Sequence, residues 1–165
     1  MRVIKLALGF LLGFAVPAAM ARTTLIDLDT DPGHYSTWQV TDISESSVSF
    51  KATFLELKKH KKWQPTYTVE LGDKQGNSIN FKGAYVGPLF VSSATLSNGD
   101  GETSNESVLK FTLKQQIAVS LSWGNGVLHV TSNEVTQDYQ VGFNPTELKI
   151  SCSTGNLEVR DITFK

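Results

Sequence analysis

Apolar and polar side chains alternate with a period of two along most of this chain, and no stretch carries the i, i+3, i+4, i+7 apolar spacing of an amphipathic helix. In Val48-Ser49-Phe50-Lys51-Ala52-Thr53-Phe54 the even positions are apolar. In Trp63 to Leu71 the odd ones are, which predicts one strand with Trp63, Tyr67, Val69 and Leu71 buried and Gln64, Thr66, Thr68 and Glu70 in water. Leu109, Phe111 and Leu113 read as another strand, and Ile117, Val119, Leu121 and Trp123 as the next. Each has one apolar and one polar face, which predicts antiparallel sheets packed face to face and not a parallel sheet covered by helices. The expected class is an all-β antiparallel β-sandwich of jelly-roll type.

Turn chemistry falls at strand-length intervals: Gly72-Asp73, Gly76-Asn77, Asn98-Gly99-Asp100-Gly101, Gly124-Asn125-Gly126 and Thr154-Gly155-Asn156. The clearest hairpin is Ser120 to Trp123, the Gly124-Asn125-Gly126 turn, and Val127 to Val130. Leu157 and Val159 have one phase and Ile162 and Phe164 the other, so a bulge is expected at Arg160-Asp161. That hairpin, Asn144-Pro145, Leu148-Lys149-Ile150 and the terminal Val159-Arg160-Asp161-Ile162-Thr163-Phe164 together resemble the C-terminal part of concanavalin A-like jelly rolls, the superfold of lectins, laminin-G modules and glucanases. The resemblance runs from Ile117 to Lys165 and implies carbohydrate binding. It carries no individual binding residue across, because one superfold hosts many functions.

The chain opens with Arg2 and Lys5, an apolar run from Leu6 to Val16, a Pro17 break and Ala19-Met20-Ala21, the grammar of a secretion signal cleaved after Ala21. The apolar run is about half of the ~20 residues needed to cross a bilayer, so a removable signal is expected and a transmembrane segment in the mature chain is not. Export to the periplasm or the medium follows, with residues 22–165 forming a single domain. The whole chain has 15 basic and 16 acidic residues, a net charge of −1; losing Arg2 and Lys5 with no acid leaves −3. A nucleic-acid binder usually presents a strongly basic face, so that class is disfavoured. With Cys152 as the only cysteine no internal disulfide forms, and its phase with Leu148 and Ile150 predicts a buried thiol.

Candidate chemistry is sparse. Asp27, Asp29 and Asp31 alternate along one strand face and offer hard oxygens of the kind Ca²⁺ takes. They fail the EF-hand pattern, with Pro32 at the glycine position and Trp38 at the bidentate acid position, and a solvated edge strand is the plainer reading. No pair of carboxylates has the placement of a glycosidase, His34, His60 and His129 lack metal-ligand spacing, and there is no Gly-x-Ser-x-Gly elbow. No catalytic residue is therefore assigned, and a glycoside hydrolase ranks third among the functions. Lys58-Lys59-His60-Lys61-Lys62 is the densest charge run, placed by the alternation at a hairpin tip, where it suits an anionic glycan, a headgroup or an acidic partner.

Tyr35, Trp38, Tyr85 and Tyr139 are the candidate sugar-stacking aromatics, Tyr139 foremost because Asp138 and Gln140 flank it. Ala84 to Val91 is unusually apolar for a segment broken by Gly87-Pro88 and offers a partner surface. The leading expectation is a non-catalytic, lectin-like carbohydrate binder. Its rival is an exported interaction module, such as an inhibitor, an immunity-type protein or an envelope-assembly protein, with an envelope protein in place of a glycan as partner.

Overall fold

The computed structural model describes residues 25–86, 89–98 and 101–165. The proposed signal, residues 1–21, lies outside them. The strands are β1 (Leu25–Val40), β2 (Ser47–Leu57), β3 (Thr66–Gly72), β4 (Ser78–Val86), β5 (Leu89–Asn98), β6 (Gly101–Glu106), β7 (Gln116–Gly124), β8 (Val127–Ser132), β9 (Val135–Gln140) and β10 (Glu147–Phe164). Every pairing is antiparallel, in the order β6-β5-β4-β3-β10-β2-β7-β8-β9 with β1 beside β10.

Strand β10 turns this path into two layers. Its first half pairs with β3 through Ser153, and its second half pairs with β2 from Gly155 onward. The layers meet through Phe54 and Phe90, 4.6 Å between ring centroids, and through Phe81 and Tyr139, 5.4 Å apart. Inward-facing Val69, Leu71, Ile79 and Ile150 from one layer and Val48, Phe50, Leu121, Val130 and Val159 from the other fill the space between, as the alternation predicts. The sandwich architecture is thus the direct outcome of the period-two pattern.

The kink in β10 has identifiable causes. Thr154 adopts φ +56°, a conformation that a β-branched residue rarely takes. Its buried hydroxyl lies 3.2 Å from the Gly33 N–H that donates to it and 3.1 Å from Ser153 Oγ. Strand β1 slips register at the same level, between Thr30 and Tyr35, so both strands pass from one layer to the other together. At Gly155 a Cβ would lie 2.6 Å from the Glu56 carbonyl oxygen and 2.6 Å from the Phe54 ring, so the close approach excludes any side chain.

Several local expectations hold. Asn125 and Gly126 take φ +51° and +76°, matching the type I′ turn of the β7–β8 hairpin. The bulge falls where expected, with a register shift between Arg160 and Thr163 and Asp161 at φ +57°. Cys152 is fully buried, and that burial pushes its thiol up to about 12. Asp27, Asp29 and Asp31 point outward from β1, which pairs with β10 alone, while Ile26, Leu28 and Thr30 point inward.

Three expectations need correction. Lys58 to Lys62 is not a hairpin tip: β2 and β3 share no ladder, and residues 58–65 carry the chain from one layer to the other. Leu109, Phe111 and Leu113 do not form a strand; residues 107–115 wander between β6 and β7 and bury Leu109 and Phe111 nonetheless. Their backbone is satisfied piecemeal, with Phe90 N donating to Phe111 O, Lys114 N to Phe54 O and the Tyr67 hydroxyl to Leu109 O. Trp63 is not part of β3. Pro65 lacks an N–H, the strand starts at Thr66, and Trp63 escapes the alternation to stand 48% exposed.

Candidate functional site

The β2–β3 connection shapes a wide concavity. Its walls are the end of β2 with Leu55, Glu56 and Leu57, the connection itself through Pro65, Tyr85 at the end of β4, Leu113 and Lys114 ahead of β7, and Asn156 just past the β10 kink. The groove has a volume of about 1090 Å³, just above the ~300–1,000 Å³ usual for ligand clefts. Leucines, Trp63, Pro65 and Tyr85 make part of its lining apolar, and Lys58, Lys59 and Lys114 bring ammonium groups to it.

His60 organises the connection. Its Nδ1 accepts hydrogen bonds from the backbone N–H of Lys62, 3.2 Å, and of Trp63, 3.1 Å, which closes the loop and sets where Trp63 stands. Its Nε2 faces Gly33 of β1, where an added Cβ would lie 3.3 Å away. Lys58 N donates to Thr154 O, tying the loop's first residue to the β10 kink. Tyr85 N donates to Pro65 O, and the Tyr85 ring packs edge-on against Phe90 at 5.3 Å. Both ends of the loop are therefore fixed. The side-chain oxygen of Asn156 is buried without a hydrogen-bond partner, a polar atom left unpaired beneath the groove.

The acidic alternation and the basic run meet here. Lys58 Nζ lies 2.5 Å from Asp29 Oδ1 and 3.9 Å from Asp31 Oδ1. The hydrogen bond that Lys58 donates to Asp29 raises the Lys58 pKa, which keeps it charged. Asp27 shares their face of β1. Among the described residues no group of three or more His, Cys, Asp or Glu side chains stands close enough to hold a metal ion.

The other sequence candidates disperse. Lys58, Lys59 and His60 line the groove with Tyr85, while Lys61 and Lys62 sit on the loop beside it, exposed. Tyr35 is exposed on β1, and Trp38 is half-buried against the core. Tyr139, the aromatic expected to be most available, is only 7% exposed: its side chain points into the sandwich and packs on Phe81, while its polar neighbours Asp138 and Gln140 point out. Period two places the residues flanking a buried one in water, so polar neighbours do not mark an exposed tyrosine. Val86, Leu89 and Val91 form an exposed apolar strip on the β4–β5 pair, which accords with the apolar reading of that segment.

Sequence reasoning missed Leu113, Lys114 and Asn156, which the fold brings from remote segments to the groove. It also missed a polar row on the outer face: Ser122, His129 and Asp138 are cross-strand neighbours on β7, β8 and β9, with His129 Nδ1 2.6 Å from Asp138 Oδ1. Register is needed to see such a row.

No protein-family profile matches the chain, and no characterised protein matches it in sequence. Solved structures do match in shape. A polysaccharide lyase of family 18 aligns with a TM-score of 0.58 at 7% identity, covering 90% of each chain. An alginate lyase from Alteromonas sp. 272 aligns at 0.57 and 8% identity over the same shares. CG-16, a homodimeric agglutinin from chicken liver, aligns at 0.57 and 15% identity over 79% of this chain and all of its own. The fold is an all-β antiparallel sandwich of jelly-roll type. The likeness in shape runs over most of the chain and fits the jelly-roll resemblance of its last third. At these identities it shows the jelly-roll sandwich fold and leaves the site to be argued from this chain's residues. Among the described residues no helix is long and apolar enough to cross a membrane.

Proposed function

We propose that this protein is an exported carbohydrate-binding jelly roll that holds its ligand in the groove at the β2–β3 crossover. The observation that carries the reading is Trp63, a large aromatic held half-exposed on the wall of a wide apolar groove by two hydrogen bonds to one histidine. A pyranose ring has an apolar C–H face and a polar rim, and the groove answers both with Trp63 and Tyr85 for the face and lysines for the rim. Agglutinins and polysaccharide lyases on the same fold support a glycan as the ligand class.

Trp63 is the most exposed of the three tryptophans, so its fluorescence reports on the groove. Titration with a panel of neutral and acidic cell-wall oligosaccharides is expected to quench or shift emission, and Trp63→Ala is expected to abolish the response while the fold melts as before. A flat response across the whole panel would sink the reading. The exposed strip of Val86, Leu89 and Val91 favours a second reading, protein docking beside the groove. Replacing all three by serine leaves glycan titrations unchanged under the first reading, and removes a copurifying envelope protein under the second.

A further inference from the structure

The chemical class of the glycan can be read from charge, and this step rests on the groove reading above. Basic side chains elsewhere are largely committed: Lys51 to Asp161 at 2.9 Å, Lys74 to Asp42 at 2.6 Å, Lys110 to Glu106 at 2.5 Å, Lys149 to Glu70 at 3.0 Å and Arg160 to Glu158 at 2.6 Å. At the groove the pattern changes. Lys58 is taken by Asp29 and Asp31, but Lys59 and Lys114 in the wall, and Lys61 and Lys62 beside it, have no ion-pair partner among the described residues. One carboxylate, Glu56, shares the lining with them. A chain with a net charge of −1 thus concentrates uncompensated positive charge around this groove.

We infer that the groove takes an acidic glycan, with Lys59 and Lys114 meeting its carboxylate or sulfate groups while Trp63 stacks on a ring. Lys59 and Lys114 come from different segments, the crossover and the residues leading into β7, so they approach the groove from two sides. Walls of low dielectric focus the field of such charges on whatever lies between them. A flat anionic membrane fits worse. The exposed carboxylates of Asp29 and Asp31, and of Asp27 on the same face, stand next to the loop and would meet such a plane, whereas a single glycan chain in the groove avoids them.

The test compares hexasaccharides by calorimetry at about 50 mM and 500 mM salt. The probes are a galacturonan, a sulfated galactan and the neutral cellohexaose, with vesicles containing one-third phosphatidylglycerol as a separate arm. Wild type is expected to bind at least one acidic hexamer about tenfold more tightly than cellohexaose at low salt, with the difference shrinking at high salt because exposed charges are screened. Lys59→Gln/Lys114→Gln is expected to erase that difference, bringing the acidic hexamer down to the level of cellohexaose on the same variant, with the melting temperature unchanged. Which acidic hexamer binds separates carboxylate from sulfate recognition.

Equal or better binding of cellohexaose overturns the acidic class and leaves the groove reading standing. Silence toward all three hexamers overturns both. A larger loss from Lys61→Gln/Lys62→Gln than from the wall pair overturns the placement inside the groove, and vesicle binding without hexamer binding assigns the charge to a lipid surface instead.

Discussion

The β7–β8 turn and the β2–β3 connection are both short polar runs between well-formed strands, and they do opposite things. Gly124-Asn125-Gly126 joins strands that pair with one another, so Gly124 faces Val127 across the ladder and the turn's own φ angles settle its shape. Residues 58–65 join strands that never pair. Leu57 ends opposite Gly155 and Thr66 begins opposite Ser153, so the connection straddles the kink in a strand that lies a hundred residues on. The turn is determined locally and is tight; the crossover is determined remotely and leaves a groove. The groove has arisen where the local grammar of strands fails.

The sharpest way to break this contrast is at the kink. Gly155→Ala puts a methyl 2.6 Å from a backbone carbonyl, which cannot rotate away as a flexible side chain could. The expected cost is about 3 kcal/mol, the upper part of the usual overpacking range, and a melting temperature lower by roughly 10 °C. Thermal unfolding by circular dichroism checks it. An unchanged melting temperature would mean that β10 does not make the close approach that positions the crossover.

At the tight turn the same kind of change should matter less. Gly126→Ala keeps ample room, its nearest new contact being Gly142 Cα at 3.6 Å, but forces alanine to φ +76°. About 1 kcal/mol of destabilisation is expected, with glycan titrations unaffected. A loss of ligand binding here would show that the two ends of the molecule are coupled, against the contrast drawn above.

How far the chain could be read follows the same division. The alternating strands, the type I′ turn, the buried Cys152 and the bulge at Asp161 were legible because each depends on neighbours a few residues away. Trp63 was illegible because its alternation with Tyr67 and Val69 is genuine but irrelevant once Pro65 stops the strand short of it. Leu109 and Phe111 alternate and are buried, yet no neighbouring strand offers them a ladder, and periodicity cannot report whether a partner exists. The groove needed Lys114 and Asn156 to be brought to Trp63, and only the layer order does that.

Within the crossover, His60 is the residue whose removal should loosen the site without unfolding the protein. His60→Ala leaves the Lys62 and Trp63 N–H groups without their acceptor, in an exposed loop where water replaces it, so a stability loss of about 0.5 kcal/mol is expected. Ligand affinity should fall more visibly, by about fivefold, because Trp63 must then be ordered on binding. His60→Asn restores an acceptor near the Nδ1 position and is expected to recover most of the affinity. Hydrogen exchange at the two amides should accelerate in the alanine variant and not in the asparagine one. Failure of the asparagine variant to rescue, with both amides still protected, would remove His60 from its organising role.

The smallest effect is expected where the two charged motifs meet. Lys58 is anchored by Asp29 and Asp31, and those carboxylates stand well out in solvent. Exposed ion pairs contribute little to stability, so Asp29→Asn should leave the melting temperature within error. What changes is the use of the cation. Lys58 already lines the groove, and releasing it from Asp29 adds one more ammonium to the rim. An acidic hexamer should then bind about twofold more tightly at low salt, a gain that disappears near 1 M salt, where the screening length falls to about 3 Å. Cellohexaose should bind as before. Weaker binding of the acidic hexamer would mean instead that the ion pair holds the loop in its binding shape, making Asp29 a positioning residue for the crossover and bringing the acidic strand into the site.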